Sequence, residues 1–344
     1  MSCLYRIQDT KSLNFERGVF VFNNIFNINQ IVDVRSVGLK RLLFLSRLGT
    51  RLFRLEPRCV ERIDEKRFVV CQGHKVWLLN VAQKTFSMLQ KSREGFSDPL
   101  NLCSDGDNVY WGDYGDNAYH KDVHIYRLTP NLRIEVVYSF SSGVIRHVHN
   151  VIWDKVHKRF FILTGDLEEK AGIYVADKDW ETVEPIVTGS QQYRAVIAFP
   201  CSGGLIYATD SVEENNNIYL LKDGMVKALA PFPGSCIYGT ETKDYYVFSS
   251  TVEPPEGRGV LDMFTYKIGA GIQDRYAHLL TVRKSDLEVR EVLKVRKDFL
   301  PMKLFQYGSL TFPKGQESSN ELWYNIVACN GDGEVMRIAS LDAY

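Results

Sequence analysis

The chain has 344 residues, 45% hydrophobic and 24% charged, with 42 basic and 42 acidic side chains and a formal net charge of zero. That balance argues against bulk electrostatic binding of nucleic acid or anionic membrane, which calls for a basic surplus. A chain of this size buries a large core without disulfide or metal staples. Its seven cysteines include no CxxC pair, so they are expected to be reduced and mostly buried.

The N-terminus, Met1-Ser-Cys-Leu-Tyr-Arg, lacks a basic segment followed by an apolar run and a cleavage site, and no window reaches membrane-spanning length. The expectation is a cytoplasmic protein with no membrane span.

Along the chain, helical periodicity is nearly absent. Short runs rich in Val, Ile, Phe and Tyr alternate with Gly, Asp and Asn, as in an all-β protein. Near the start, Gly18-Val-Phe-Val-Phe reads as a strand that joins the last repeat, and Arg41-Leu-Leu-Phe-Leu-Ser with Arg51-Leu-Phe-Arg-Leu reads as a weak repeat copy. Clearer copies begin at Arg67, Asn108, Arg159, Gly204, Tyr245 and Glu321. Most are followed by a partner run, such as Lys75-Val-Trp-Leu-Leu-Asn or Gly172-Ile-Tyr-Val-Ala-Asp. The spacings are about 41–51 residues, with one wider gap of about 76 that places an insertion near 253–273. These features predict one β-propeller over residues 1–344, with six or seven blades and seven preferred. The innermost strand is expected just before each clear copy.

The densest polar stretch inside an apolar run is Val144-Ile-Arg146-His147-Val-His149-Asn150. On a strand, His147 and His149 share a face, while Arg146 points away unless a bulge turns it. Two imidazoles on one face suit general acid–base chemistry. They would also begin a metal site, but spacing fixes no third ligand, so no metal and no cofactor are assigned. One repeat later, Gln192, Tyr193 and Arg194 stand at the mouth of another apolar strand; the Arg fork suits a carboxylate and the Tyr a proton transfer.

Acids recur at the ends of the clear copies. Asp113, Asp210 and Glu253 are candidates for acid–base work, whereas Asp166 in Thr-Gly-Asp is read as a turn cap. Trp111 and Tyr114 offer flat faces for a sugar.

The stretch Asp177-Lys-Asp179-Trp180-Glu-Thr182 resembles a degenerate Asp-box, the turn motif of sialidase-like propellers. With the histidines and Thr-Gly-Asp before it, it also resembles propellers that accompany bacterial surface-polysaccharide genes. The resemblance implies the fold. It also implies a carbohydrate-active enzyme, a glycoside hydrolase or polysaccharide lyase, cleaving an anionic surface polysaccharide or its precursor. Propeller lyases use His and Tyr for proton transfer and Arg for the uronate carboxylate. By that analogy His147 or His149 is the base, Tyr193 the acid, and Arg146 and Arg194 bind substrate with Trp111, Tyr114, Gln192 and Asp210. The alternative is a non-catalytic propeller that binds a glycan or protein partner in a polysaccharide-assembly complex.

Overall fold

The computed structural model describes residues 2–7, 11–24, 27–35, 43–44, 46–257, 259 and 261–344. The fold is a seven-bladed β-propeller: seven small antiparallel sheets whose strands follow one another in simple up-and-down order.

The first sheet holds β1 (Ser2–Ile7), β2 (Lys11–Glu16), β3 (Val19–Asn24) and β4 (Asn27–Asp33). The second holds β5 (Cys59–Arg62), β6 (Arg67–Cys71), β7 (Lys75–Asn80) and β8 (Thr85–Lys91). The third holds β9 (Cys103–Ser104), β10 (Val109–Gly112), β11 (Val123–Leu128) and β12 (Ile134–Phe140). The fourth holds β13 (His147–Asp154), β14 (Arg159–Gly165), β15 (Gly172–Asp177) and β16 (Val183–Thr188). The fifth holds β17 (Ala195–Cys201), β18 (Gly204–Thr209), β19 (Asn216–Lys222) and β20 (Met225–Phe232). The sixth holds β21 (Ser235–Glu241), β22 (Tyr245–Thr251), β23 (Tyr276–Arg283) and β24 (Val289–Arg296). The seventh holds β25 (Ser309–Thr311), β26 (Leu322–Val327) and β27 (Val335–Ile338).

Each clear sequence copy is therefore the second strand of a sheet, preceded by the first strand as expected. Second strands are buried at nearly every position, as Phe68–Cys71 and Phe160–Gly165 show, because both faces are covered. This explains their unbroken apolar runs, where a half-exposed strand would alternate. Fourth strands such as β8 and β20 are mostly exposed and carry weak sequence signals.

Two expectations are corrected. The strand at Val19–Asn24 does not join the last sheet; it pairs with β2 and β4 in a sheet of its own. The run after Arg41 falls partly outside the described residues, and its partner near Arg51 is helix α1 (Arg47–Leu52). Ser46 caps that helix by accepting from the Gly49 N–H at 2.9 Å. Arg51, buried, donates to Asp298 at 2.6 Å and to the Phe305 carbonyl, and Arg47 donates twice to Asp332. Periodicity alone does not reveal a short helix held by such distant ionic partners.

The chain divides into two compact units. The first comprises Met1–Glu56, Ile206–Leu221 and Val226–Tyr344; the second comprises Pro57–Leu205 and Lys222–Met225. In the first, Val247, Leu279, Leu310, Tyr324 and Ile338 share a core. In the second, Tyr110, Phe160 and Trp180 stack at the centre of a core that also takes Ile125, Val148 and Ile162. None of the seven cysteines is joined in a disulfide. Among the described residues no helix is long and apolar enough to cross a membrane.

Asp154 closes the β13–β14 hairpin. Its carboxylate accepts from the backbone N–H groups of Val156 and His157, from His157 Nδ1 at 2.8 Å and from Arg159 Nε at 3.1 Å. Burial opposes its charge, but these donors outweigh it and hold the carboxyl below its ordinary value. A depressed folded value means the stabilisation is full above the unfolded value, about 3.9, and is lost as pH falls through the folded one. Asp154→Ala should therefore cost about 1–3 kcal/mol at neutral pH. Urea denaturation from pH 7 to pH 3 should show the gap between variant and wild type narrowing below pH about 4.

Candidate functional site

The second unit gathers an unusual set of side chains around Asp166. Strand β13 carries His147 and His149, both only 2% exposed. Its pairing with β14 runs His147 to Gly165 and Val148 to Thr164, then skips to Asn150 and Leu163, so His149 is the extra residue of a β-bulge. Bulges re-aim a side chain without breaking the sheet. Here the two rings lie 4.9 Å apart and both turn toward Asp166.

The cause of the close approach is Gly165, at the end of β14. A Cβ there would stand 2.3 Å from His149 Cε1, so no larger residue leaves room for the ring. Asp166 follows immediately. Its Oδ1 lies 3.1 Å from His149 Nε2 and its Oδ2 lies 3.5 Å from His147 Nε2.

Two guanidinium groups complete the cluster. Arg194 Nη2 is 3.2 Å from Asp166 Oδ1, and Arg146 Nη1 is 3.5 Å from Asp166 Oδ2. Arg146 also pairs with Asp116. Its backbone is fixed by buried Asn117, whose side-chain amide donates to the Arg146 carbonyl at 2.9 Å. Gln191 donates to the Asp166 carbonyl at 2.9 Å. Tyr114 tilts against His147 with centroids 4.7 Å apart, and Arg58 stands over the other part of that ring at 5.3 Å.

Each imidazole is oriented from behind. His147 Nδ1 donates to the Gly115 carbonyl at 2.5 Å, and His149 Nδ1 donates to the Ala195 carbonyl at 2.8 Å. A carbonyl only accepts, so each Nδ1 carries a proton and each Nε2 faces Asp166. Burial pushes the His149 imidazole down toward its neutral form, against the pull of Asp166. Burial opposes the Asp166 charge too, but His147 and His149 beside it hold its carboxyl well below the usual carboxylate range. The atoms that converge, His147 Nε2, His149 Nε2 and a carboxylate oxygen of Asp166, all lie within 4.8 Å of one another and form the set that could hold a metal.

The other sequence candidates are placed as follows. Arg146, despite the expected alternation, reaches Asp166 because it precedes the strand. Tyr193 lies half-buried in the 3-10 turn Gln191–Tyr193 with Gln192, whose backbone N–H is capped by Ser190. It is Gln191, one residue earlier, that touches Asp166.

Trp111 is 2% exposed, stacks on Tyr126 and belongs to the core. Asp113 is buried in its own network, accepting from Arg93 at 2.7 Å, the His124 N–H at 3.0 Å and the Tyr126 hydroxyl at 3.2 Å. Asp210 and Glu253 lie buried in the first unit, where Glu253 accepts from the Thr251 hydroxyl at 2.5 Å. The stretch resembling an Asp-box is a turn in which Asp177 accepts from the amides of Asp179, Glu181 and Thr182 and from the Thr182 hydroxyl.

Sequence reasoning missed Asp166, the centre of the cluster, by reading it as a turn cap. The available signal was the pair Gly165-Asp166 lying one hairpin after His-x-His, where β14 returns beside β13.

No protein-family model and no curated protein matches the chain. Solved structures do resemble it. One is an oligogalacturonate lyase in complex with manganese, at a TM-score of 0.57 and 8% identity, covering 99% of this chain and 91% of that one. A second oligogalacturonate lyase, from Vibrio parahaemolyticus, gives 0.53 at 8% identity with the same coverage. A chain of a mitotic checkpoint complex also gives 0.53 at 8% identity, covering 99% and 93%. At these identities the likeness concerns the fold alone, and the fold carries both lyases and a cell-cycle assembly.

Gly165→Ala tests the packing of the cluster directly. It should force His149 off its rotamer and cost about 1–3 kcal/mol in urea denaturation. The His149 ring resonances should move far more than those of His278, which lies in the first unit. Unchanged stability with unmoved His149 resonances would contradict this geometry.

Proposed function

We propose that the His147–His149–Asp166 cluster, with Arg146, Arg194 and Tyr114, binds an anionic saccharide and cleaves it by β-elimination. The observation that carries the reading is the convergence of two guanidinium groups and two buried imidazoles on one carboxylate. Arg146 and Arg194 keep 20% and 12% of their side-chain surface exposed, so a substrate carboxylate can reach them. Arginine is suited to that partner because its fork matches a carboxylate in two parallel hydrogen bonds.

In an elimination, the hydrogen on the carbon next to the uronate carboxyl leaves as a proton. Its electron pair forms a carbon–carbon double bond, and the glycosidic C–O bond breaks with a proton delivered to the leaving oxygen. Charge must first be drawn from the carboxylate, which Arg146 and Arg194 do. The proton steps fall to one phenol: as its phenolate it takes the proton from the carbon, and as the phenol so formed it returns that proton to the leaving oxygen. Tyr114 is favoured because it stands against His147, and Tyr193 is the other phenol of the same region. The histidines are poorer bases than their sequence positions imply, since both turn Nε2 inward to Asp166.

Hydrolysis is the weaker reading. It calls for two carboxyls flanking one glycosidic bond, one of them able to donate a proton. Asp166 is held ionised, and Asp113 is enclosed by Arg93 and Tyr126. The propeller lyases among the structural neighbours agree with elimination in fold only. A binding-only platform remains the rival, as the checkpoint-complex neighbour illustrates for the same fold.

The test is incubation with a panel of uronate-containing oligosaccharides, reading ultraviolet absorbance from the unsaturated product. Wild type should generate that absorbance. Arg194→Ala should raise KM and lower kcat/KM at least tenfold, and Tyr114→Phe should lower kcat with little change in KM. New reducing ends without absorbance would favour hydrolysis. Binding that survives all substitutions, with no cleavage, would leave the platform reading.

A further inference from the structure

We infer that His147 Nε2, His149 Nε2 and Asp166 form a binding site for one divalent first-row transition-metal ion. The inference rests on tautomers and spacing. Each Nδ1 is committed as a donor to a backbone carbonyl, Gly115 for His147 and Ala195 for His149. A neutral ring then presents a bare lone pair at Nε2. Two such nitrogens converge on one carboxylate, and a proton or a metal ion must sit between each nitrogen and the oxygen it faces. His147 Nε2 is buried and, among the described residues, makes no hydrogen bond, standing 3.5 Å from Asp166 Oδ2. A buried acceptor in that position is costly unless something positive sits before it.

The alternative occupant is a proton on each Nε2. That would bury two imidazolium ions with ring centroids 4.9 Å apart, beside two guanidinium groups. Among the described residues, the carboxylates paired with this cluster are Asp166 and Asp116. Four positive charges against two negative ones in a largely desolvated cluster is a poor arrangement. One ion shared by three ligands places the charge where the lone pairs already point.

The distances agree. Metal–ligand bonds of about 2.1 Å in a tetrahedron set ligand atoms about 3.4 Å apart. Asp166 Oδ1 stands 3.1 Å from His149 Nε2 and Oδ2 stands 3.5 Å from His147 Nε2, and the three ligand atoms lie within 4.8 Å of one another, so the longest edge shortens as the ion binds. The surroundings are those that metal ligands need: each imidazole donates its second N–H to a carbonyl, and the carboxylate is held by Arg194 and Arg146. Imidazole with carboxylate suits zinc, iron or manganese better than calcium or magnesium. The Asp166 side chain is 25% exposed, so the cluster is not sealed from solvent as the ligands of a closed structural site are.

This deepens the elimination reading but does not need it. Arg146 and Arg194 are already paired with Asp116 and Asp166, and the ion adds positive charge to theirs and with it a further hold on the uronate.

The experiment strips the full chain of metal with a chelator, then titrates Zn2+, Mn2+ and Mg2+ by calorimetry and thermal denaturation. One equivalent of Zn2+ or Mn2+ should bind and raise Tm, with Mg2+ much weaker. Co2+ substitution should give visible absorption bands that disappear in His149→Ala. His147→Ala should weaken binding at least tenfold. This variant removes an Nε2 that makes no hydrogen bond among the described residues, so its folding, checked by circular dichroism, should survive even where His149→Ala does not. Absence of transition-metal binding by wild type, or binding unchanged in a folded His147→Ala, overturns the site. Metal binding without elimination would sink the cleavage reading alone; elimination without metal binding would sink the metal site alone.

Discussion

The organisation of the second unit turns on one buried contact, the Asp166 carboxylate set against the inward-facing edges of His147 and His149. A carboxylate and two imidazole nitrogens do not gather by default, because each prefers water. Here the cost is offset by groups around the rim. Backbone carbonyls orient both rings, Arg194 and Arg146 neutralise the carboxylate, and Gln191 and Asn117 fix the adjoining backbone. Gly165 supplies the missing volume. Such supported polar clusters are strong when fully satisfied, and the Nε2 of His147, without a hydrogen bond among the described residues, is the exception that points to function.

The blade pattern was legible because second strands are buried on both faces and so read as unbroken apolar runs. Their starts gave the spacing of the repeat directly. What hid was equally physical. The fourth strands face solvent and carry little signal. Strand β23 lies beyond a stretch of more than twenty residues after β22, so the sixth repeat looked stretched. The first sheet, from Ser2 to Asp33, went unrecognised because only its third strand has the expected apolar run. Residues near Arg51 were apolar enough to suggest a strand, yet Arg47 and Arg51 pair with Asp332 and Asp298, hundreds of residues away in sequence.

The site was half legible. His147, His149, Arg146 and Arg194 stood out as polar residues at the mouths of apolar strands, and the fold brings these four to one carboxylate. The carboxylate itself looked like every other turn acid. Likewise the bulge at His149 has no signature in the residues. The same skipped register occurs in β1, between Cys3 and Tyr5, and in β21, between Cys236 and Tyr238. The bulge thus recurs in three first strands, β1, β13 and β21, and of these only β13 carries an imidazole at the extra residue.

The recurrent acid makes the same point from the other side. Asp113 and Asp166 each follow a glycine that ends a second strand, Gly112 and Gly165. Both are close-packed positions, since a Cβ at Gly112 would strike Val148 and one at Gly165 would strike His149. Yet the two carboxyls are driven in opposite directions. Burial dominates at Asp113 and raises it despite Arg93, whereas at Asp166 the imidazoles outweigh burial and hold it down. The backbone slot is shared; the neighbouring strand decides its chemistry. Val148 beside Gly112 makes one slot a packing joint, and His149 beside Gly165 makes the other a ligand pocket. The slot at Gly112 is filled from the next sheet by Val148, which pairs in register with Thr164, whereas the slot at Gly165 is filled by the bulge residue of its own sheet, so a local register shift concentrates the reactive group in one blade. On that logic the residue to compare between propellers of this kind is the one in the first-strand bulge, read together with the acid that closes the second strand.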